Sequence, residues 1–169
     1  LYFSAQVDGN SDIVINGTSL TLTPDANWYG DILVTVSVTD IELEDSITFI
    51  LTVNPINDAP VIGALDNQAI DEDSSLTVEL SASDIDGDGL TFSASVDGNA
   101  LVSVNGTSLT VTPDSDWYGD LALSVSVTDG EYVNSTTFTV IVNPVNDAPV
   151  LDEVADQRID EDGIFNTIL

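Results

Sequence analysis

Three observations predict an all-β protein built from seven-stranded β-sandwich repeats set end to end. The 169-residue chain repeats itself: residues 1–76 lie over 90–165 at a constant offset of 89, without a gap, and more than half the pairs are identical. A period of that size is one small domain. Through the repeat, apolar and polar residues alternate in short stretches rich in Val, Thr, Leu and Phe that end at Gly, Asn, Asp or Pro, the pattern of strands with one buried face. No segment carries the spacing of an amphipathic helix.

The complete repeat supplies the strands in order. Strand A is expected over 61–70 and B over 75–81, where Leu76, Val78 and Leu80 alternate with polar neighbours. C follows over 90–96 (Leu90, Phe92, Ala94, Val96), D over 101–104 and E over 108–112 (Leu109, Val111). F runs over 121–128 (Leu121, Leu123, Val125, Val127) and G over 135–142 (Phe138, Val140, Val142). Seven such strands predict an immunoglobulin-like sandwich. Asn105-Gly106 between D and E, repeated as Asn16-Gly17, signals a hairpin turn in which both residues take positive φ. Trp117-Tyr118 and Trp28-Tyr29 follow a Pro-Asp turn just before strand F. They read either as a plug closing one end of the core or as a platform for a stacked ligand.

The repeat sets the expected boundaries. Residues 1–54 form an incomplete sandwich lacking strands A and B, 55–143 a complete one, and 144–169 a linker plus strands A–B of a following or neighbouring repeat. Leu1 matches Leu90 and Leu169 matches Leu80, so the chain is two repeats of 89 less the nine that correspond to Ser81–Gly89. Two readings stand: an excerpt of a longer array, or a head-to-tail filament in which the last strands of one copy complete the open sandwich of the next.

Charge narrows the function. Asp and Glu number 30 against one basic residue, Arg158, giving a net charge of −29. Such a surface repels nucleic acid and anionic membranes, and no apolar run approaches the roughly 18 residues of a membrane span. The chain has no Cys, His or Lys, which removes disulfides, thiolate and imidazole metal sites, the usual general base and Schiff-base chemistry. Oxygen ligands remain, and these suit hard cations. A solvated halophilic or marine surface is the plain account of the acids, and clustered calcium sites the sharper one.

The positions of the acids separate the two. Successive strands reverse direction, so the B–C, D–E and F–G loops share one end of the module with the incoming linker. The A–B, C–D and E–F loops share the other end with the outgoing linker. The first end receives Asp84, Asp86, Asp88 and Asp129, and the second receives Asp71, Glu72, Asp73, Asp114, Asp116 and Asp120. Asp25 and Asp31 hold the corresponding places of Asp114 and Asp120 in the first module. The linkers Asn54-Pro55-Ile56-Asn57-Asp58-Ala59-Pro60 and Asn143-Pro144-Val145-Asn146-Asp147-Ala148-Pro149 each hold two prolines in seven residues, so adjacent modules nearly touch. Carboxylates gathered there repel by several kcal/mol unless a cation sits among them, and Ca2+ takes about six to eight oxygens. Asp84-Ile85-Asp86-Gly87-Asp88-Gly89 fits the first half of a calcium loop. Ser95 stands where an EF-hand needs its last Glu, so further ligands must come from elsewhere in space.

The segment Val142–Pro149, with Asp71-Glu72-Asp73, Asp84-x-Asp86 and Val127-Thr128-Asp129-Gly130, resembles the cadherin superfamily. More closely it is similar to the cadherin-like repeats of very large bacterial surface adhesins. That resemblance implies Glu72, Asn146 and Asp147 as ligands of the junction below the complete module. It implies Asp84, Asp86, Asn57, Asp58 and Asp129 for the junction above. The chain departs from the animal form in a linker one residue shorter and in Asp114-x-Asp116-Trp117-Tyr118-Gly119-Asp120 before strand F.

The expected function is a structural, extracellular or cell-surface adhesin or filament module stiffened by Ca2+. Its partners would be copies or repeats of the same protein, with a surface glycan or protein as a further partner and neither nucleic acid nor membrane insertion. The alternative is a carbohydrate- or protein-binding module with Trp28 and Trp117 as the platform. A hydrolase using a carboxylate pair is set aside, because acids that recur in every repeat suit a joint better than a unique catalytic site.

Overall fold

The computed structural model describes residues 1–166. Its first unit comprises β1 (Tyr2–Val7), β2 (Ser11–Asn16), β3 (Ser19–Pro24), β4 (Gly30–Thr39) and β5 (Glu44–Val53). The second comprises β6 (Val61–Ile62), β7 (Gln68–Asp71), β8 (Leu76–Glu79), β9 (Ala82–Ser83), β10 (Thr91–Val96), β11 (Ala100–Asn105), β12 (Ser108–Pro113), β13 (Gly119–Thr128) and β14 (Val133–Asn143). Among the described residues no helix is long and apolar enough to cross a membrane.

In the second unit, β10-β13-β14-β7 form one sheet and β11-β12-β8 the other, with β6-β9 as a small third pairing. All neighbours are antiparallel except β7, which runs parallel to β14. The alternation seen in the sequence is the alternation of burial. Leu121, Leu123, Val125 and Val127 of β13 are at most 1% exposed, and they meet Leu109, Val111, Phe138, Val140 and Val142 in one core. Ile62, Leu65, Ile70 and Leu76, from the A and B strands, pack against it. This is an immunoglobulin-like sandwich with the strand order the sequence implies.

Two local expectations need correction. Strand A is not continuous: β6 pairs with β9, the chain crosses over, and β7 joins the opposite sheet beside β14. Gly63 is the crossing point, its N–H donating to the Ser81 carbonyl at 2.7 Å; a Cβ there would collide with the Ser81 hydroxyl. The hairpin turns are also not centred on Asn-Gly. Asn105 pairs with Ser108 and Asn16 with Ser19, so the two loop residues are Gly-Thr, and of each Asn-Gly pair only the glycine has positive φ. Glycine at the first loop position is the signature of a type II′ turn, which closes a two-residue hairpin as well as type I′ does.

The first unit repeats the second in part. β1-β4-β5 and β2-β3 form with the registers of β10-β13-β14 and β11-β12, every number lower by 89. No strand lies beside β3 or along the outer edge of β5, the places that β8 and β7 occupy in the second unit. Ile32 and Val34 are still fully buried, yet Phe49 is 41% exposed where its counterpart Phe138 is 4%. Residues 144–166 contain no strand. The A and B segments expected there need ladder partners from the rest of a sandwich, and none adjoins them; residues 167–169 of the expected B strand lie outside the described residues.

Candidate metal centres at the module junctions

Above the second unit, the loop Asp84–Gly89 folds around one carboxylate. Asp84 Oδ1 accepts from the backbone N–H groups of Asp86 (2.9 Å), Gly87 (3.1 Å) and Asp88 (3.4 Å). Its Oδ2 is buried and has no hydrogen-bond partner. Carboxylate oxygens of Asp84, Asp86 and Asp88 lie within 4.8 Å of one another. The linker closes on this loop: Asp58 N–H donates to Asp86 Oδ2 at 2.7 Å, and Asn57 Nδ2 donates to Asp129 Oδ2 at 3.0 Å. Asp129 Oδ1 accepts from the N–H groups of Glu131 and Tyr132. Partial loss of solvent would push the Asp129 carboxyl up, but the N–H donors of Tyr132 and Glu131 and the Asn57 amide together hold it below the ordinary aspartate value. Asp40, its counterpart in the first unit, is lowered by the N–H groups of Leu43 and Glu42.

Below the second unit, oxygens of Asp73, Asp116 and Asp147 form the other such group within 4.8 Å. Asp73 and Asp116 both sit in left-handed turn conformation (φ 63° and 56°), and Asp116 N–H donates to Asp73 Oδ1 at 3.2 Å. Glu72 is 5% exposed, with its Oε1 accepting from Val145 N–H at 2.5 Å and its own N–H donating to the Asn143 carbonyl. A carboxylate almost wholly withdrawn from water is thus pinned beneath the outgoing linker. Asn146 Nδ2 donates to the neighbouring Asp147 carbonyl at 3.1 Å.

Other acids in the expected set stand outside these two groups. Asp31 accepts from Thr52 Oγ1 at 2.7 Å on a strand face, and Asp120 takes the same place on β13, opposite Ile141. Asp71 is approached by Asn143 Nδ2 at 3.4 Å. Asp25 and Asp114 fix the turn before the tryptophan through their backbones, each carbonyl accepting from Trp28 or Trp117 N–H at 3.2 Å. Asp25 also borders a cleft of about 310 Å³ at the upper junction, with Trp28 and Tyr29 on one side and Asp58 and Asp86 on the other.

A family model for the bacterial Ig domain matches residues 57–143. The chain belongs to the bacterial Ig domain family. This bacterial Ig chain is 35% identical over 124 residues to Chitinase A of Pseudoalteromonas piscicida, a match covering 70% of the chain and 15% of the chitinase. Among solved structures it resembles human protocadherin-24 EC1-2, with a TM-score of 0.51 and 15% identity over 85% of this chain and 82% of that one. It also matches an endo-fucoidan hydrolase of glycoside hydrolase family 107, with a TM-score of 0.41 and 16% identity over 84% of this chain and 24% of the hydrolase. At that identity the protocadherin match shows a shared fold.

Two features of the bacterial Ig module escaped the sequence. Asn134 Nδ2 donates to the Pro60 carbonyl at 2.9 Å, tying the F–G loop to the incoming linker across 74 residues; Asn-Ser-Thr in sequence pointed only to a sugar acceptor. The tryptophans lie flat against glycine: a Cβ on Gly119 would stand 3.0 Å from the Trp117 ring, and one on Gly30 3.2 Å from Trp28. Trp117 also packs against the core, so the adjacent tyrosines, 54% (Tyr29) and 60% (Tyr118) exposed, are the aromatic surface at each junction.

Proposed function

We propose that this chain is a stretch of bacterial Ig modules from a secreted or cell-surface protein, with Ca2+ bound at the joints to fix each module against the next, in the manner of cadherin-like repeats. One observation carries the reading: Asp84 Oδ2, a buried carboxylate oxygen without a donor, beside two further carboxylates and against the linker. A buried charge without a partner costs several kcal/mol, and a hard cation is the partner its chemistry suits. Glu72 beneath the second linker supports the same role below. Asp84, Asp86, Asp88, Asn57 and Asp58 would serve the upper joint; Glu72, Asp73, Asp116, Asn146 and Asp147 would serve the lower. The chain spans 15% of the chitinase it matches, which fits an accessory unit of a larger exported protein.

Thermal unfolding with and without millimolar calcium, with magnesium as control, tests this. A ligand at a hundred times its Kd adds about 2.7 kcal/mol, and each kcal/mol moves Tm by about 4–8 °C for a module of this size. We expect a calcium-specific rise of that order that Asp84→Asn largely removes. A chain that responds only to bulk salt would sink the reading.

A second reading is favoured by the upper cleft, where exposed Tyr29 meets acceptor groups and no cation. A neutral glycan stacked on Tyr29 fits that lining. Retention on an insoluble polysaccharide that Tyr29→Ala abolishes would identify it.

A further inference from the structure

The second unit shows what the first one lacks. Its A and B strands bring four apolar residues onto the core, Ile62, Leu65, Ile70 and Leu76. At the offset of 89 these correspond to Leu151, Val154, Ile159 and Phe165, all apolar and all exposed, between 44% and 70%, in the strandless segment. The residues between them are mostly charged: Asp152, Glu153, Asp156, Arg158 and Asp160. The segment therefore carries the one-sided pattern of a sandwich strand without a sandwich, while β3 and β5 present a sandwich without those strands.

We propose that residues 150–166 of one copy of this chain dock as strands A and B on the open first unit of a second copy. The second unit fixes the register. There β7 lies parallel to β14 with Val140 opposite Gln68, Ile141 opposite Ala69, Val142 opposite Ile70 and Asn143 opposite Asp71. Lowering the first number of each pair by 89 and raising the second by 89 sets Leu51 opposite Gln157, Thr52 opposite Arg158, Val53 opposite Ile159 and Asn54 opposite Asp160.

Charge supports that register independently. Where the second unit pairs two apolar residues, Ile141 and Ala69, the transferred pair is polar on both sides, Thr52 and Arg158. Thr52 already donates to Asp31 on the next strand. The chain's single basic residue thereby lands two strands from Asp31, about 10 Å between Cα positions, a gap that the guanidinium and carboxylate side chains bridge together.

The partner must be a second copy. The donated strand runs parallel to β5, so it points toward the second unit. A tail leaving Asn143 would have to retrace β14, 11 residues or about 36 Å, then pass the linker, overshoot β5 and turn back. Residues 144–156, fully extended, reach about 43 Å. Docking between copies is heterologous and continues from one copy to the next.

The inference does not rest on the calcium reading, so its test is run in chelator, at about 0.15 M salt where the Debye length is about 8 Å. The full chain is followed by sedimentation over a wide concentration range. We expect assemblies that grow with concentration, and a monomer for Ile159→Asp, a change in the unpaired segment that leaves both sandwiches intact by circular dichroism. Since the chain has no cysteine, Thr52→Cys in one preparation and Arg158→Cys in another should form a disulfide-linked heterodimer. Ile50→Cys with Arg158→Cys, two residues out of register, should not. A wild-type chain that stays monomeric throughout overturns the proposal. So does Ile159→Asp assembling like wild type, equal crosslinking in both registers, or a doubly substituted Thr52→Cys, Arg158→Cys chain that closes on itself as a monomer.

Discussion

Gly119 and Gly30 each carry a tryptophan ring where a side chain would stand, with φ of 144° and 137° that other residues rarely adopt. Gly119→Ala adds both a strained backbone and a clash, so it should cost about 2–4 kcal/mol, read as a lowered urea midpoint with altered Trp117 emission. Asn134→Ala removes one part-buried hydrogen bond and should cost about 1 kcal/mol on the same scale. Asp129 makes a pH prediction. Its folded carboxyl titrates lower than it would unfolded, so its contribution is present above the unfolded value and is lost as pH falls through the folded one. Carboxyl NMR should show Asp129 and Asp40 titrating below the ordinary aspartate value, and the stability gap between wild type and Asp129→Asn should close in that acid range. The acids of the two joints were legible because a strand count alone assigns each loop to an end of the module. Asn134 was not, since its partner lies 74 residues away and nothing local marks it.

Alternation made the strands legible, because one buried face per strand is a period-two signal and little else in an all-β chain competes with it. β10 through β14 fall where Phe92, Val102, Leu109, Leu123 and Val140 place them. The crossing of strand A between sheets was not legible: both of its halves are short and extended, and only the contact of Gly63 with Ser81 distinguishes them. The Gly-Thr turn was missed for a similar reason, since register rather than composition decides which two residues form the loop. The half-covered first unit has a measurable cost. Phe138→Ala should lose about 3–5 kcal/mol, as burial of that completeness implies, and Phe49→Ala clearly less, resolved by separate unfolding transitions of the two units. Amide exchange should follow the same order, slowest in β13 and β14 and fast through 144–166.

For the molecule entire, −29 spread over 169 residues means every fold-stabilising contact works against self-repulsion. Screening should therefore raise Tm steadily as the Debye length falls from about 30 Å at 0.01 M salt to about 3 Å at 1 M; a flat salt response would contradict that. The rise with calcium is expected at far lower concentration, which separates bound ions from a screened surface. The parallel pairing of β7 with β14 has one more consequence. The chain enters the second sandwich at Pro60, forms β7 soon after, and leaves through the end of β14 at Asn143. When the two ends are pulled apart, β7 is drawn backward and β14 forward along their common direction. The hydrogen bonds between them are then loaded side by side and must fail together rather than open one after another. A short ladder of four paired residues sets how hard this module can be stretched before it gives way.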